Sequence, residues 1–258
     1  MTPPPLPPLP WLEPADPLPA PAQAWGPTSP APGLLAAGGG LSVERLKQAY
    51  AQGTFPWYSQ GQPLLWWCTH PRMVLQTDAF RLHRSLRKTL QHFRAHPQAE
   101  IRMDSSFDAV ITACAHSPRP GQSGTWIVPE MVQAYQDLHR AGHAHSVETW
   151  IEGELVGGLY LVNLGCALFG ESMFARRTDA SKIALAALVA WARHHHIAWI
   201  DCQQQTEHLA RLGAQPVPVE EFLAAIPAAR LRPAPAWEFK PVYWDALLSS
   251  PPHSTDTD

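Results

Sequence analysis

Gly170-Glu171-Ser172-Met173-Phe174-Ala175-Arg176-Arg177-Thr178-Asp179-Ala180-Ser181-Lys182 is the stretch that sets the architecture of this chain. An acid closes an apolar strand, a basic loop follows, and a helix opens at Thr178 or Asp179. Upstream, His145–Ile151 and Leu155–Leu164 flank Glu152-Gly153-Glu154, a hairpin signal, and Cys166–Phe174 makes a third strand. Downstream, Ala180–His195 reads as a helix with Leu185, Leu188, Val189 and Ala192 on one side. Ile197–Cys202 is then a strand, and Glu207–Leu212 a short helix ended by Gly213. The order strand-strand-strand-helix-strand-helix predicts an α+β domain with a mixed sheet.

Working outward, Asp104 or Ser105 caps a helix whose apolar positions are Phe107, Val110, Ile111 and Cys114. Another helix runs from Pro129 to Ala141 and closes at Gly142. The segment Phe80–His96 is basic, with Arg81, Arg84, Arg87, Lys88 and Arg94; positions 81, 84 and 88 would share one helical face. Residues 33–77 are expected to form a small N-terminal subdomain: Ser42 caps a helix through Tyr50, followed by Phe55-Pro56-Trp57-Tyr58 and Leu65-Trp66-Trp67. The larger domain then covers 78–248. Residues 1–32 hold 13 of the 28 prolines and almost no charge, so a disordered, polyproline-like tail is expected there. Residues 249–258 read the same way.

Composition narrows the class. Of 258 residues 45% are hydrophobic and 16% charged, enough to bury a substantial core. A net charge of −3 means that any nucleic-acid contact needs a local basic patch. Cys68, Cys114, Cys166 and Cys202 are widely spaced, which argues against a zinc site or disulfide framework. No Lys or Arg precedes Arg45, and no apolar run approaches the roughly 20 residues of a membrane span. A cytoplasmic protein without a membrane segment is expected.

Asp201 and Gln203 are two apart on a strand and point to one face, where an acid and an amide could steer a proton. A buried polar pair that holds a loop is the structural alternative. Glu171, if buried, would hold its proton more tightly, unless Arg176 or Arg177 pairs with it. The loop into Ala180 is suited to a phosphate or ribose, yet Arg176–Ser181 lacks the glycines that a coenzyme pyrophosphate needs. His194-His195-His196 is expected to be a solvated helix end, since adjacent helical residues face different ways, and no metal is expected. The tryptophans Trp57, Trp66, Trp67 and Trp126 are core candidates that could also stack on a base.

Gly33-Leu34-Leu35-Ala36, Phe55-Pro56-Trp57, Leu65-Trp66-Trp67 and Gly124-Thr125-Trp126-Ile127 come in order along the chain. Ala144-His145-Ser146-Val147-Glu148, Leu155-Val156-Gly157-Gly158-Leu159-Tyr160, Gly170-Glu171-Ser172-Met173-Phe174 and Ile200-Asp201-Cys202-Gln203 follow. In these motifs, over about residues 33–245, the chain resembles the bacterial leucyl/phenylalanyl-tRNA–protein transferases. The resemblance implies a GNAT-like domain behind a small N-terminal one. It implies transfer of leucine or phenylalanine, methionine less well, from aminoacyl-tRNA to proteins beginning with Arg or Lys, which marks them for N-end-rule degradation. By the same resemblance Asp201 and Gln203 are catalytic, Glu171 shapes the aminoacyl pocket, and Trp57 and Trp126 line the site of the tRNA 3′ end.

Aminolysis of an activated ester needs no covalent nucleophile, metal or redox cofactor, so none is expected. The attacking α-amine has a reference pKa of roughly 7.7–8.0, and positioning with a weak base suffices. On this reading Asp201, acting through Gln203, deprotonates the amine. Leu159, Leu168, Met173 and Leu188 receive the aminoacyl side chain, and Arg81, Arg84, Arg87 and Lys88 track the tRNA backbone. The chain departs from the family pattern at Gly40, Leu161, Ala175, Leu188 and Ala192, positions that touch amino-acid preference rather than Glu171, Asp201 or Gln203. A GNAT enzyme using acyl-CoA and a non-catalytic adaptor for tRNA or basic N-termini are the rival readings.

Overall fold

A computed structural model describes residues 8–117 and 127–249. In chain order the elements are β1 (Trp11–Leu12), β2 (Leu34–Gly38), α1 (Val43–Ala51), β3 (Phe55–Pro56), β4 (Leu65–Trp67), β5 (Arg72–Gln76), α2 (Arg84–Ala95), β6 (Ala99–Met103) and α3 (Phe107–His116). They continue with α4 (Pro129–Arg140), β7 (Ala144–Ile151), β8 (Glu154–Leu164), β9 (Ala167–Ala175) and α5 (Ala180–His194). Last come β10 (Trp199–Gln203), α6 (Glu207–Arg211), β11 (Gln215–Val217), α7 (Val219–Leu231) and α8 (Asp245–Leu248). The fold is α+β, as the element order predicts.

A seven-stranded sheet of order β11-β5-β10-β9-β8-β7-β6 forms the frame, and only β9 and β10 run parallel in it. Glu152 (φ 55°) and Gly153 (φ 77°) both adopt left-handed backbone, the two-residue turn that matches strand twist, and so close β7 onto β8. One face of the sheet packs against α1, α3, α4 and α7; the other packs against α2, α5 and α8. A β-carbon on Gly157 would lie 2.5 Å from that of Ala180, so the glycine lets β8 meet the start of α5.

Three expectations need correction. Helix α5 is buried on all sides from Ile183 to Ala192, where the sequence pattern suggested one apolar face. Its outer side is covered by Trp237, stacked on Trp191, and by Tyr243, Trp244 and Leu247. The domain border falls before Arg72, because β5 lies between β10 and β11 in the large sheet, while β1 to β4 make a separate sheet of order β1-β2-β4-β3. Residues 8–32 are ordered: Trp11 and Leu12 pair in parallel with Ala37 and Gly38, and Leu12 and Leu18 are buried. Prolines limit that ladder to two residues, but Arg45 satisfies the chain's carbonyls by donating to Pro14 O at 3.0 Å and to Asp16 O.

Candidate active site

Strands β9 and β10 pair only at Leu168 with Ile200 and Phe169 with Asp201. Beyond those pairs both strands are irregular. A bulge in β9 leaves Glu171 unpaired, since Leu161 faces Gly170 and Tyr160 faces Ser172. In β10 the register shifts between Asp201 and Gln203, and Gln203 adopts φ 59°. Side chains bridge the ends instead: Gln203 Nε2 donates to Glu171 Oε1 at 2.6 Å.

Asp201 and Gln203 turn toward the α1 and α7 face, and Ile200 and Cys202 toward α5, in agreement with the two-residue spacing. Asp201 is wholly buried. Its carboxylate accepts Arg72 Nε at 2.7 Å and Arg72 Nη2 at 2.5 Å, a bidentate pair with 0% exposure on both side chains. Oδ1 also accepts the backbone N–H of Gln203 at 2.9 Å, which ties the ion pair to the left-handed turn that aims the amide. The guanidinium lies between the rings of Phe55 and Phe222, at 4.9 and 4.7 Å. Burial would lower its pKa, but Asp201 outweighs burial and the guanidinium is held charged.

Glu171 is paired with neither nearby arginine. Arg177 binds Glu152 and Glu154, and Arg176 donates to Leu155 O at 3.1 Å beside a recess of about 470 Å³. Two tyrosines approach the carboxyl instead: Tyr50 Oη lies 2.7 Å from Oε1 and Tyr135 Oη 3.1 Å from Oε2. Protein atoms surround the carboxyl while one edge keeps some exposure to solvent. Burial pushes the Glu171 pKa up to about 8, against the opposing hydrogen bonds from Tyr50, Gln203 and Tyr135. Burial likewise holds the thiols of Cys68 and Cys202 protonated, with pKa values pushed up to about 11 and about 12, so neither is a thiolate nucleophile at neutral pH.

This raised carboxyl has a consequence for stability. Between pH 4.5 and about 8 the folded protein keeps a proton that the unfolded chain has released. Stability should therefore fall as pH rises through that window and level off above it. Urea unfolding at pH 5 and pH 8 is expected to show a smaller loss for Glu171→Gln than for the parent. Equal pH dependence in the two would remove Glu171 as the source.

The expected aminoacyl pocket is not gathered around Glu171. Leu159, Leu168 and Leu188 are 4%, 0% and 1% exposed and pack on the α5 face of the sheet. The bulge reverses the strand's phase, so Met173 also faces α5, while Glu171 two residues earlier faces α1 and α4. Met173 alone of these four is partly exposed. Trp57 is half-buried, 5.2 Å from Trp67 between ring centres, and Trp126 lies outside the described residues.

The basic segment also differs from the expectation. Helix α2 begins at Arg84, so Arg81 precedes it and donates its backbone N–H to Leu212 O. Arg87 donates to Leu248 O at 3.0 Å and closes the end of α8. Arg84 and Lys88 remain exposed, one turn apart. The loop into α5 ends in Asp179 (φ 62°), which puts a carboxylate at the helix N-terminus and binds Lys182 at 2.7 Å.

The motif Ala144–Glu148 builds the frame. Glu148 accepts from Ser105, Ser106 N, Ser146 and Trp150, and Asp104 accepts from His145 Nδ1 at 2.6 Å and Ser146 N at 2.8 Å. Helix α3 therefore starts after Ser106, with Asp104 and Ser105 tied to β7 rather than serving as its cap. Asp104, His139 and His145 are the described residues whose metal-ligating atoms come together, within 4.8 Å. Both imidazoles already use Nδ1 inside the protein, His145 on Asp104 and His139 on Ala144 O at 2.7 Å.

Sequence reasoning missed Arg72, Tyr50 and Tyr135. The signals were thin: an arginine opening the apolar run Met73-Val74-Leu75, and tyrosines on the apolar faces of α1 and α4.

A family model described as the leucyl/phenylalanyl-tRNA protein transferase N-terminal domain matches residues 39–70, and one described as leucyl/phenylalanyl-tRNA protein transferase matches residues 74–227. The chain belongs to this transferase family. A leucyl/phenylalanyl-tRNA–protein transferase of Polaromonas sp. is 59% identical over 243 residues, covering 94% of this chain and 95% of the relative. One of Leptothrix cholodnii is 62% identical over 244 residues, covering 93% and 95%. One of Cupriavidus necator is 58% identical over 230 residues, covering 89% and 92%. The chain is thus an aminoacyl-tRNA-dependent transferase. The first family match ends at residue 70, between β4 and β5, and the second begins at residue 74, within β5. No helix of the transferase, among the described residues, is long and apolar enough to cross a membrane.

Proposed function

We propose that this transferase moves leucine or phenylalanine, and methionine less well, from its tRNA to the α-amino group of proteins beginning with Arg or Lys. The product is marked for N-end-rule degradation in the cytoplasm. The observation that carries this reading is the Gln203–Glu171 bridge across the opening between two parallel strands, backed by the buried Arg72–Asp201 pair. A GNAT-like domain is the reading we attach to that opening.

In this mechanism the attacking amine approaches Gln203 and Glu171. Both oxygens of Asp201 are taken by Arg72, so Asp201 acts by positioning Gln203 and by its field, with no direct contact on the substrate. Met173 receives the aminoacyl side chain at the α5 side of the opening, above a core of Leu159, Leu168 and Leu188. An apolar surface of this kind separates side chains differing by one methylene by only about 1–3 kcal/mol, which suits acceptance of Leu, Phe and Met. Trp57 and Trp126 are assigned to the tRNA 3′ end.

The test supplies leucyl-tRNA with a peptide that begins with Arg, beside the same peptide with its amine acetylated. Leucine is expected on the free peptide alone. Transfer from acetyl-CoA in place of leucyl-tRNA would support the acyl-CoA reading, and binding without transfer the adaptor reading.

Arg81, Arg84, Lys88 and Arg94 of the basic segment are exposed, and Arg84 and Lys88 stand one turn apart on α2. Joint replacement of Arg84 and Lys88 by alanine should weaken tRNA binding and reduce the salt slope by about 0.7–0.9 per lost contact. Unchanged binding across a salt titration would make α2 a solvated face.

A further inference from the structure

The three acidic hydroxyl-bearing groups of the site touch one another in a closed triangle. Tyr50 Oη meets Glu171 Oε1 at 2.7 Å, Tyr135 Oη meets Glu171 Oε2 at 3.1 Å, and the two phenolic oxygens are hydrogen-bonded to each other. Three oxygen–oxygen contacts need three hydrogens. The two tyrosines bring one each, and both are held protonated, first by burial and then by the neighbouring Glu171. The third hydrogen has one source, the carboxyl. Oε1 already accepts from Tyr50 and from Gln203 Nε2 at 2.6 Å, which marks it as the carbonyl oxygen.

We infer that Glu171 rests as a neutral carboxylic acid with its proton on Oε2, and that Tyr50 and Tyr135 are positioning residues whose closed ring of contacts with it outweighs the pull of each phenol, as a donor, toward the anion. The ring then runs from Glu171 Oε2–H to Tyr135, from Tyr135 O–H to Tyr50, and from Tyr50 O–H back to Oε1. An ionised Glu171 would leave one contact as oxygen against oxygen with no hydrogen between them.

The surrounding charges agree. Tyr50 faces the carboxyl from α1, Tyr135 from α4, and Gln203 from β10, with Tyr160 of β8 behind Tyr135. Asp201 of β10 adds repulsion that favours the neutral form, and the positive charge of Arg72 on β5 is engaged by Asp201. The role rests on the reading that the amine docks at Gln203. A carboxylate there would stabilise the ammonium form and raise the amine's pKa, whereas a neutral acid leaves the amine free to attack.

Difference infrared spectroscopy of the full chain, titrated from pH 5 to pH 10, reads the protonated carboxyl directly. A carbonyl band absent from Glu171→Gln is expected at pH 7 and should vanish with a midpoint near 8. Tyr135→Phe removes two contacts and one hydrogen, so the remaining Tyr50–Glu171 contact no longer requires a proton on the acid. The midpoint should then fall, by about tenfold in proton affinity. Tyr50→Phe, a second variant should the first fail to fold, is expected to act in the same direction. No Glu171-dependent band at pH 7 overturns the neutral acid. A midpoint that rises in the tyrosine variants overturns their role, because burial alone would then set the protonation and each lost donor would only disfavour the anion. Leucine transfer to the Arg peptide is measured separately: a band without transfer leaves the neutral acid standing and removes the proposed function.

Discussion

Asp201→Ala is expected to cost about 3–5 kcal/mol of stability, because it leaves the guanidinium of Arg72 charged and buried without its partner. For a chain of this size that is a fall of roughly 10 °C in the unfolding midpoint. Transfer should fall with it, since the backbone of Gln203 loses the acceptor that holds its left-handed turn. Stability and positioning can be separated by replacing the pair together. Asp201→Leu with Arg72→Met removes both charges, and apolar replacements of a buried ion pair are often neutral or better. The double variant should recover most of the lost stability and leave leucine transfer low. If it regains both, the carboxylate has no part in the reaction beyond keeping the fold.

Gln203→Ala is expected to lower turnover by about 10²–10³-fold, the usual cost of losing one preorganised hydrogen-bonding group at a reacting centre. Alanine keeps the backbone and removes only the amide that reaches Glu171. Affinity for leucyl-tRNA should change little, because the lost contact faces the incoming amine. Gln203→Asn offers a second view: asparagine tolerates φ near 59° but is one methylene shorter, so it should behave more like alanine than like glutamine. Normal turnover in either variant would take Gln203 out of the mechanism.

Much of the fold was legible because local rules and tertiary packing agree along most of the chain. The hairpin at Glu152-Gly153, the cap at Ser42 and the helix from Pro129 follow from turn and capping chemistry alone. The N-terminal proline-rich stretch was misread because composition reports what a segment cannot do by itself. It does not report that Arg45, far along the chain, waits to bind its carbonyls. Helix α5 was read as one-sided because small alanines hide burial: an alanine looks permissible on either face. The expected pocket residues do not share a face with Glu171, for a reason of phase. A single bulge at Glu171 turns Met173 to the other side of the sheet, and alternation counted along the sequence does not register a bulge.

The order of elements, the family and the three residues Glu171, Asp201 and Gln203 were set by the sequence, through periodicity, turn residues and motif content. What each residue can do was decided only in three dimensions. Asp201 gained a buried partner 129 positions away, and Glu171 gained two phenols, 121 and 36 positions away. Protonation and charge are set by what lies within a few ångströms and by how much water is excluded, and neither quantity is carried by neighbours along the chain. The stretch that carries Glu171 thus proves to hold a carboxyl paired with neither Arg176 nor Arg177, in a ring that folding alone assembles.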